Sequence, residues 1–202
     1  MSSTTAMDHQ EIVRRAVFFD RDGTLNEEVG HLDDLGRFRV YPFAGRAVRR
    51  VNQAGLFAVV LTNQSGVGRG IFPEELVAAA HQRLVAEMEE SGAKLDAIYY
   101  CPHHPAAEIA QYRVDCSCRK PSPGMMQQAA QRFGICLEES FVIGDRYVDV
   151  EMAHRVGATS ILVQTGFGQS EWEMYRGNGA AQPEYVAENV SEAVEWILQR
   201  LK

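Results

Sequence analysis

Short apolar runs alternate with longer amphipathic stretches over most of the chain. Each apolar run has the length of a strand and stops at charged or polar residues, which is typical of strands buried in a sheet. Between the runs, apolar side chains recur three or four residues apart, which predicts helices with one buried face. The expected strands are residues 17–19, 56–61, 98–100, 141–143, 160–163 and 184–186, and the expected helices are residues 44–54, 73–90, 123–133, 147–156 and 191–201.

This alternation predicts an α/β fold. Strands separated by helices form a parallel sheet with right-handed crossovers, here a Rossmann-like sheet flanked by helices. Residues 16–202 are expected to form one domain, because a chain of 202 residues leaves no room for a second large one. Residues 1–15 lack the apolar run of a secretory signal and are expected to be a flexible N-terminal tail.

The composition of the chain argues against several classes of protein. The formal net charge is −7, which argues against nucleic-acid binding because phosphate backbones require a basic surface. The apolar runs are too short to cross a membrane. We therefore expect a cytoplasmic protein with reduced cysteines that acts on a small molecule, and a monomer.

Polar residues fall where the expected strands end. Asp20 and Asp22 follow the first strand, Thr62 and Asn63 follow the second, and Asp145 follows the fourth. In an open parallel sheet these ends share one edge, and ligands bind in the crevice there. Lys120 precedes the helix expected at residues 123–133, so its loop could reach the same edge.

The segment around Asp20 and Asp22 is suited to phosphoryl transfer. One carboxylate can accept a phosphoryl group covalently, and a second carboxyl two residues later can protonate the leaving oxygen. A divalent cation such as Mg²⁺ would offset the repulsion between these carboxylates and a phosphate, with Asp145 as a further ligand. Lys120 and the Thr62 hydroxyl would stabilise charge on the transferred group. Taken alone, Asp-x-Asp-Gly is a weak pattern that more often marks a simple turn, and a calcium loop needs further acids and a late Glu that are not in place.

Together these residues resemble the four motifs of the haloacid dehalogenase superfamily of phosphatases. The matching segments are Phe19-Asp20-Arg21-Asp22-Gly23-Thr24, Leu61-Thr62-Asn63, Lys120, and Gly144-Asp145 with Asp149. The resemblance implies the sheet typical of that superfamily without a large cap domain. It implies that Asp20 is the nucleophile and Asp22 the general acid and base, with Mg²⁺ held by Asp20, the Asp22 backbone carbonyl and Asp145. Asp149 either supports the metal through a neighbouring ligand or is a solvated helix residue.

A second metal site is expected in the loop at residues 101–118. Cys101 and His103 begin this loop, and Cys116 and Cys118 end it, with twelve residues between the two pairs. Three thiolates and one imidazole make a closed, tetrahedral zinc site of the structural type. Such a zinc would not take part in the chemistry and would instead hold the loop that carries Lys120. The resemblance favours His103 over the adjacent His104 as the ligand.

The same segments resemble one branch of the superfamily, the heptose-bisphosphate phosphatases. The segments are Tyr100-Cys101-Pro102-His103-His104-Pro105, Cys116-Ser117-Cys118-Arg119-Lys120-Pro121 and Thr62-Asn63-Gln64-Ser65-Gly66. The related histidinol-phosphate phosphatases share both metal sites but usually have a shorter span between the zinc half-sites. The branch implies a heptose 1,7-bisphosphate that loses its C7 phosphate and keeps the one on C1. Its product would enter nucleotide-activated heptose synthesis, for lipopolysaccharide core or a related glycan.

A bisphosphate requires cationic contacts beyond those at the phosphate being cleaved. Arg119 and Arg146 are candidates, because guanidinium groups match phosphate oxygens, although either could be a solvated charge. The resemblance assigns them the same role and adds Glu28-Val29-Gly30-His31 and Asn63-Gln64-Ser65 as substrate contacts. The chain departs from the branch at Gly30-His31, where Gly-Tyr is common, and at Arg146, where Lys is common. Both departures concern substrate contacts and not the catalytic centre.

Two other functions remain open at this point. Within enzymes, the chain could be a histidinol-phosphate phosphatase or a general sugar phosphatase. Outside enzymes, it could be a zinc-stabilised module that binds phosphorylated partners. The intact set of Asp20, Asp22, Thr62, Lys120 and Asp145 argues against the second alternative.

Overall fold

The computed structural model describes residues 13–178 and 181–201. Most of the predicted N-terminal tail, residues 1–12, therefore lies outside the described residues. The end of that segment pairs with the domain: Arg14 forms a parallel bridge with Ile135, and its carbonyl accepts a hydrogen bond from the Cys136 amide at 2.9 Å.

The centre of the molecule is a sheet of six parallel strands, as the sequence predicted. The strands are β1 (Ala16–Phe19), β2 (Phe57–Asn63), β3 (Ala97–Cys101), β4 (Phe141–Gly144), β5 (Thr159–Val163) and β6 (Tyr185–Ala187). Their order in the sheet is β3-β2-β1-β4-β5-β6. The strand order reverses beside β1, so the carboxyl ends of β1 and β4 meet at the position where α/β sheets bind ligands.

Helices cover both faces of the sheet. They are α1 (Ala44–Gln53), α2 (Ser65–Gly68), α3 (Glu74–Glu90), α4 (Gly124–Phe133), α5 (Tyr147–His154), α6 (Gly168–Tyr175) and α7 (Val190–Arg200), with short 3-10 helices at Leu35–Arg37 and Ala110–Tyr112. Helix α7 begins at Asn189, whose side chain accepts from the Ser191 and Glu192 amides. Helix α4 ends at Gly134, which has a φ of 69° and a left-handed conformation suited to glycine.

Alternate side chains of β1 enter different halves of the core. Val17 and Phe19 pack with buried residues of α1, α3 and α7, whereas Ala16 and Phe18 pack with those of α4 and α5. Both sets are fully buried. A central strand covered on both faces reads as a continuous apolar run, which explains why a four-residue strand was recognisable in the sequence.

Two helices were not predicted. Helix α2 is a single turn containing Gly66 and Gly68, which have poor helix propensity and gave no helical signal. Glycine is required at position 66 because a Cβ there would lie 2.1 Å from the Phe72 ring. Helix α6 buries only Gly168 completely, so it has no apolar face to detect. Strand β2 also continues two residues beyond its predicted end, to Asn63, because it pairs with β3 up to Cys101.

Residues 24–43 contain one 3-10 helix and no other helix or strand element, so this described segment forms a loop and not a cap domain. No helix within the described residues is long and apolar enough to cross a membrane.

Candidate active site

The site lies at the point where the strand order reverses. Asp20 directly follows β1 and Asp145 directly follows β4, its neighbour in the sheet. The Asp20 amide donates to the Ile143 carbonyl at 2.8 Å, which continues the strand pairing by one residue and fixes the Asp20 backbone. The two carboxylates are thus placed together by the sheet, as the positions of the apolar runs predicted.

Lys120 reaches this edge from the loop before α4. Its Nζ donates to Asp20 Oδ1 at 2.6 Å, Asp149 Oδ1 at 2.7 Å and the Leu61 carbonyl at 2.9 Å. Burial lowers the pKa of Lys120, but the carboxylates of Asp149 and Asp20 outweigh burial and raise it. The ammonium is therefore charged and fixed by three acceptors beside Asp20.

Three carboxylates form a cluster suited to a hard cation. Asp20, Asp145 and Asp149 are buried, and their ligand atoms lie within 4.8 Å of one another. Asp145 Oδ1 and Asp149 Oδ2 are buried and have no hydrogen-bond partner among the described residues. Burial and then the charge of Asp20 raise the pKa of Asp145 well above its usual range. Unpaired carboxylate oxygens of this kind fit Mg²⁺, which prefers oxygen ligands and few protein groups.

Gly23 and the loop after β5 shape the same cluster. Gly23 has a φ of 79°, and a Cβ there would lie 2.1 Å from Asp145 Oδ2. The Phe167 amide donates to that oxygen at 2.8 Å. The sharp turn after Asp22 thus requires glycine for two reasons, its backbone conformation and the closeness of Asp145.

Asp22 is held by four hydrogen-bonding nitrogens. Arg21 donates from Nε and Nη2 at 2.8–3.2 Å, Asn26 Nδ2 donates at 2.9 Å, and Gln64 Nε2 donates at 2.8 Å. Burial alone would raise the pKa of Asp22, but the Arg21 charge and these hydrogen bonds outweigh it and lower the pKa. The carboxylate is ionised and oriented before any substrate arrives. Arg21, its strongest partner, was not singled out from the sequence.

The side chains at the end of β2, together with Gln64, connect the two sides of the site. Gln64 Nε2 also donates to Thr62 Oγ1 at 2.8 Å, so it links that hydroxyl to Asp22. The Asn63 side chain is used structurally: its Oδ1 accepts from the Lys120 amide at 3.1 Å and its Nδ2 donates to the Lys120 carbonyl at 3.2 Å. Asn63 was predicted as a substrate contact, and this clamp gives it a further role in placing Lys120.

A cavity of about 300 Å³ opens above these groups. Most of the predicted substrate contacts line it: Glu28, Gly30, His31, Asn63, Gln64, Ser65, Arg119 and Arg146. The lining also contains Leu32, Gly66, Phe72, Val148 and Phe167, which had no signal in the sequence beyond their neighbours. This volume lies at the lower end of the range for small-molecule sites.

Val29 is not brought into the cavity lining. Its side chain packs against the main core cluster, and its carbonyl accepts from Arg37 Nη2 at 2.8 Å. Val29 is thus partly buried against the core, whereas its neighbours Glu28 and Gly30 line the cavity. The four-residue segment therefore supplies three lining residues instead of four.

The Glu28 carboxyl lies close to the two aspartates of the first motif. Burial, and then the charges of Asp22 and Asp20, raise the pKa of Glu28 to about 7. The adjacent His31 ring lies 6.2 Å from the Phe72 ring, in a tilted arrangement. This part of the cavity lining therefore contains a carboxyl group, that of Glu28, which gains or loses its proton near neutral pH.

The two predicted phosphate contacts are both held by neighbours. Arg119 Nη1 donates to the His103 carbonyl at 3.1 Å, which ties it to the cysteine loop. Arg146 Nε donates to Glu171 Oε1 at 2.9 Å, and its guanidinium lies over the Phe167 ring at 5.1 Å. Helix α6, which the sequence pattern missed, thus positions Arg146 at the rim of the cavity.

The cysteine loop brings a second group of ligand atoms together. Cys101, His103, Cys116 and Cys118 lie with their sulfur and Nδ1 atoms within 4.8 Å of one another, at contact distances of 3.1–3.7 Å. A tetrahedral zinc with bonds of about 2.3 Å places its sulfur ligands about 3.8 Å apart, so the group fits that ion. His104 lies outside the group, where its Nε2 contacts Arg69 at 2.8 Å.

Comparisons with known proteins agree with this geometry. A family profile described as HAD-hydrolase-like matches residues 117–193. The D-glycero-D-manno-heptose-1,7-bisphosphate 7-phosphatase of Thermosynechococcus vestitus is 42% identical over 192 residues, which are 93% of this chain and 97% of that protein. The D-glycero-beta-D-manno-heptose-1,7-bisphosphate 7-phosphatase of Yersinia pestis is 33% identical over 189 residues, again 93% of this chain and 97% of that protein.

A solved structure shows the same fold. The crystal structure of D,D-heptose 1,7-bisphosphate phosphatase from B. bronchiseptica, complexed with magnesium and phosphate, superposes with a TM-score of 0.81 at 30% identity. The match covers 92% of this chain and 99% of that one. The similarity in sequence and the similarity in structure thus both extend over more than nine tenths of the chain described above.

Proposed function

The chain belongs to the D-glycero-D-manno-heptose-1,7-bisphosphate 7-phosphatases of the haloacid dehalogenase superfamily, and from this premise we propose that it hydrolyses the C7 phosphate of D-glycero-D-manno-heptose 1,7-bisphosphate. The products would be heptose 1-phosphate and inorganic phosphate. The observation that carries the proposal is the position of Asp20 beneath the cavity, hydrogen-bonded to charged Lys120 and beside Asp145. Heptose 1-phosphate would then serve nucleotide-activated heptose synthesis, for lipopolysaccharide core or a related glycan.

The proposed reaction has two displacements at phosphorus. In the first, an Asp20 carboxylate oxygen attacks, the bond from phosphorus to the C7 oxygen breaks, and Asp22 gives that oxygen its proton. In the second, Asp22 takes a proton from water, which attacks the aspartyl phosphate and releases phosphate and free Asp20. Asp22 first requires a proton, although its pKa is lowered in the free protein. The arriving phosphate dianion raises that pKa again because it places a like charge beside the carboxylate.

Lys120 and Thr62 are proposed to stabilise the transferred group. Lys120 is only 4% exposed, so its charge is poorly screened by water and acts at close range. Thr62 Oγ1 is fixed by Gln64, which leaves its own hydrogen free to point toward a phosphoryl oxygen. Groups fixed in this way require little reorganisation during the reaction.

Magnesium is the cofactor that this site fits. Asp20, Asp145 and the backbone carbonyl of Asp22 would hold it, and the unpartnered oxygen of buried Asp145 supports this assignment. The ion would supply positive charge that offsets the repulsion between the carboxylates and the substrate phosphate. Asp149 is proposed to support the site indirectly, by holding the Lys120 ammonium through its Oδ1 atom.

The C1 phosphate, which is not cleaved, is proposed to bind Arg119 and Arg146. Both guanidinium groups line the cavity, and each is oriented by a bond to a neighbour that leaves other nitrogens available. Glu28, Gly30 and His31 would contact the sugar from the opposite side, together with Gln64 and Ser65. Heptose 1-phosphate keeps the C1 phosphate that the two arginines bind and has no phosphate left at C7. Cleaving it would require the C1 phosphate to lie at Asp20 with neither arginine occupied, so we expect heptose 1-phosphate to be released and not cleaved again.

Zinc is proposed for the cysteine loop, in a structural role. Three cysteines and His103 would fill all four positions of a tetrahedral ion and leave none for substrate. The chain continues from Cys118 directly into Arg119 and Lys120, so an ordered loop places both residues. Thiolates that bind zinc must stay reduced, which supports the proposal of a cytoplasmic enzyme. We propose a monomer, which light scattering can test.

The proposed function is tested by comparing three substrates. Phosphate release is measured in magnesium with the two C1 anomers of the heptose bisphosphate and with histidinol phosphate. We expect kcat/KM for one or both bisphosphate anomers to exceed that for histidinol phosphate by at least about 100-fold. One or two charged hydrogen bonds to the second phosphate are enough to give a difference of this size. Equal values for all three substrates would refute the assignment of substrate.

A further inference from the structure

Arg21 is completely buried, although it stands between two carboxylates of the site. Arginine is rarely removed from water in this way unless it is paired. Its guanidinium forms a fork on Asp22: Nε and Nη2 donate to Oδ1 at 3.2 and 3.0 Å, and Nη2 donates to Oδ2 at 2.8 Å. This fork fixes both the position and the plane of the Asp22 carboxyl group, which a single donor could not do.

The other side of the Arg21 guanidinium faces the protein interior. Its Cζ lies 5.8 Å from the centroid of the Phe38 ring. Its Nη1 is buried and has no hydrogen-bond partner in the part of the chain that the structure describes. The guanidinium therefore uses one edge on Asp22 and keeps an unused donor on the other.

His81 of α3 carries a second unpartnered nitrogen, which is not hydrogen-bonded to Arg21 but belongs to a ring that interacts with the Arg21 charge. Its Nε2 is buried and is likewise without a partner within residues 13–178 and 181–201, while its ring meets the Tyr100 ring edge-on at 5.6 Å. Burial and then the nearby charge of Arg21 lower the pKa of His81 to about 4. The imidazole is neutral at pH 7, so one ring nitrogen carries a lone pair and no proton.

We propose that Arg21 is a positioning residue that holds the Asp22 carboxyl for proton transfer, and that His81 supports the Arg21 guanidinium from α3, with its unpartnered Nε2 as the acceptor for Arg21 Nη1. The inference rests on the proposed function, because it concerns the proton that Asp22 gives to the leaving oxygen. Without Arg21, Asp22 still accepts hydrogen bonds from Asn26 and Gln64, so the carboxyl group remains in the site but is free to turn. The loss then falls on proton transfer and not on the attack by Asp20.

Two phosphate esters distinguish proton transfer by Asp22 from attack by Asp20. A sugar phosphate leaves as an alkoxide that needs a proton, whereas p-nitrophenyl phosphate leaves as a stable phenolate that does not. The ratio kcat/KM covers only the steps up to departure of that group. We expect Arg21→Met to lower kcat/KM for the sugar bisphosphate on the order of 100-fold, within the range for loss of general acid help, and for p-nitrophenyl phosphate by less than about 5-fold.

Variants at His81 test the second half of the proposal. His81→Leu removes the acceptor and is expected to lower kcat/KM for the sugar bisphosphate by about 10-fold, again with little change for p-nitrophenyl phosphate. His81→Gln keeps an acceptor in its side-chain carbonyl and should retain most of the activity on both esters. Arg83→Met is the matched control, because Arg83 lies over the same Phe38 ring from α3 at 5.9 Å and makes no bond to Asp22.

Equal losses on both esters, or no loss on either, would overturn the inference. If Arg21→Met does not fold, as thermal unfolding would reveal, the pair His81→Leu and His81→Gln decides the question by the same comparison. Failure of the proposed function gives a different result: the wild-type protein would not cleave the heptose bisphosphate. In that case the comparison is repeated with the alkyl phosphate that the wild type does cleave, so the two claims are tested separately.

Discussion

Lys120 is the only cation that bonds both Asp20 and Asp149 among the described residues, so its removal has a calculable effect. Lys120→Met replaces the ammonium by an apolar group of similar length and leaves buried carboxylates without their partner. Removing one member of a buried ion pair typically costs about 3–5 kcal/mol of unfolding free energy. For a domain of this size, each 1 kcal/mol lowers Tm by roughly 2–4 °C, so the expected loss is about 6–20 °C.

The size of this loss should depend on pH. In the variant, burial without the Lys120 cation raises the pKa of Asp149 further above its unfolded value. The folded variant then binds extra protons, so its stability relative to the wild type improves as the pH falls and is lowest in alkaline solution. Burial already raises the pKa of Asp149 to about 7 with Lys120 present, so the effect should begin near neutrality.

The assay is thermal unfolding in magnesium-free buffer at pH 5.5 and pH 8, followed by magnesium addition. We expect the larger decrease in Tm at pH 8 and a partial recovery with magnesium, since a divalent cation can replace some of the lost charge. The double variant Lys120→Met/Asp149→Leu should recover part of the loss, because it removes one unpaired carboxylate. A decrease of less than about 2 °C at both pH values, or no recovery in the double variant, would refute the reasoning.

Three further predictions concern other parts of the site. Gly23→Ala would place a Cβ 2.1 Å from Asp145 Oδ2 and impose a φ of 79° on alanine. We therefore expect the free energy of unfolding to fall by at least about 1–2 kcal/mol and activation by magnesium to weaken. Thermal unfolding measures the first effect, and a magnesium titration of activity measures the second. Burial and nearby charge raise the pKa of Glu28 from an ordinary value of 4.5 to about 7, so protonated Glu28 favours the folded state and that stability is lost as the pH rises through 7. Glu28→Gln should therefore stabilise the magnesium-free protein by about 1 kcal/mol at pH 8, allowing for its partial exposure, and change little at pH 4; a constant difference across that range would contradict the assignment. Metal analysis of protein purified without chelator should find one zinc for each chain, and Cys116→Ser should lose both zinc and most activity, whereas a zinc-free protein with full activity would exclude the structural role.

Much of the site could be predicted because the sheet is parallel. Asp20, Thr62 and Asp145 each follow an apolar run, and the carboxyl ends of parallel strands share one edge, so their proximity required no knowledge of distances. The cysteine group was predictable for a different reason. Its ligand types and spacing define tetrahedral coordination, and the structure places Cys118 and His103 with Sγ and Nδ1 at 3.2 Å.

The parts that escaped prediction depend on tertiary packing. Arg21 lies between two acids in the sequence and has no pattern that distinguishes a buried side chain from a solvated one, yet it is fully buried. Phe167 directly precedes α6 and Glu171 lies within it, and this helix has no apolar periodicity to indicate it in the sequence. Val29 was assigned with its neighbours as a block, although its side chain packs against the core and only Glu28, Gly30 and His31 line the cavity.

The central claim is that Asp20 takes the C7 phosphoryl group of a heptose bisphosphate. The most direct measurement is phosphorus NMR of the reaction with wild-type protein and with Asp20→Asn, in magnesium, with the bisphosphate as substrate. We predict one equivalent of phosphate and heptose 1-phosphate with its C1 ester intact for the wild type, and no turnover for Asp20→Asn in a variant that still folds. Release of the C1 phosphate, or turnover by Asp20→Asn at the wild-type rate, would contradict the account.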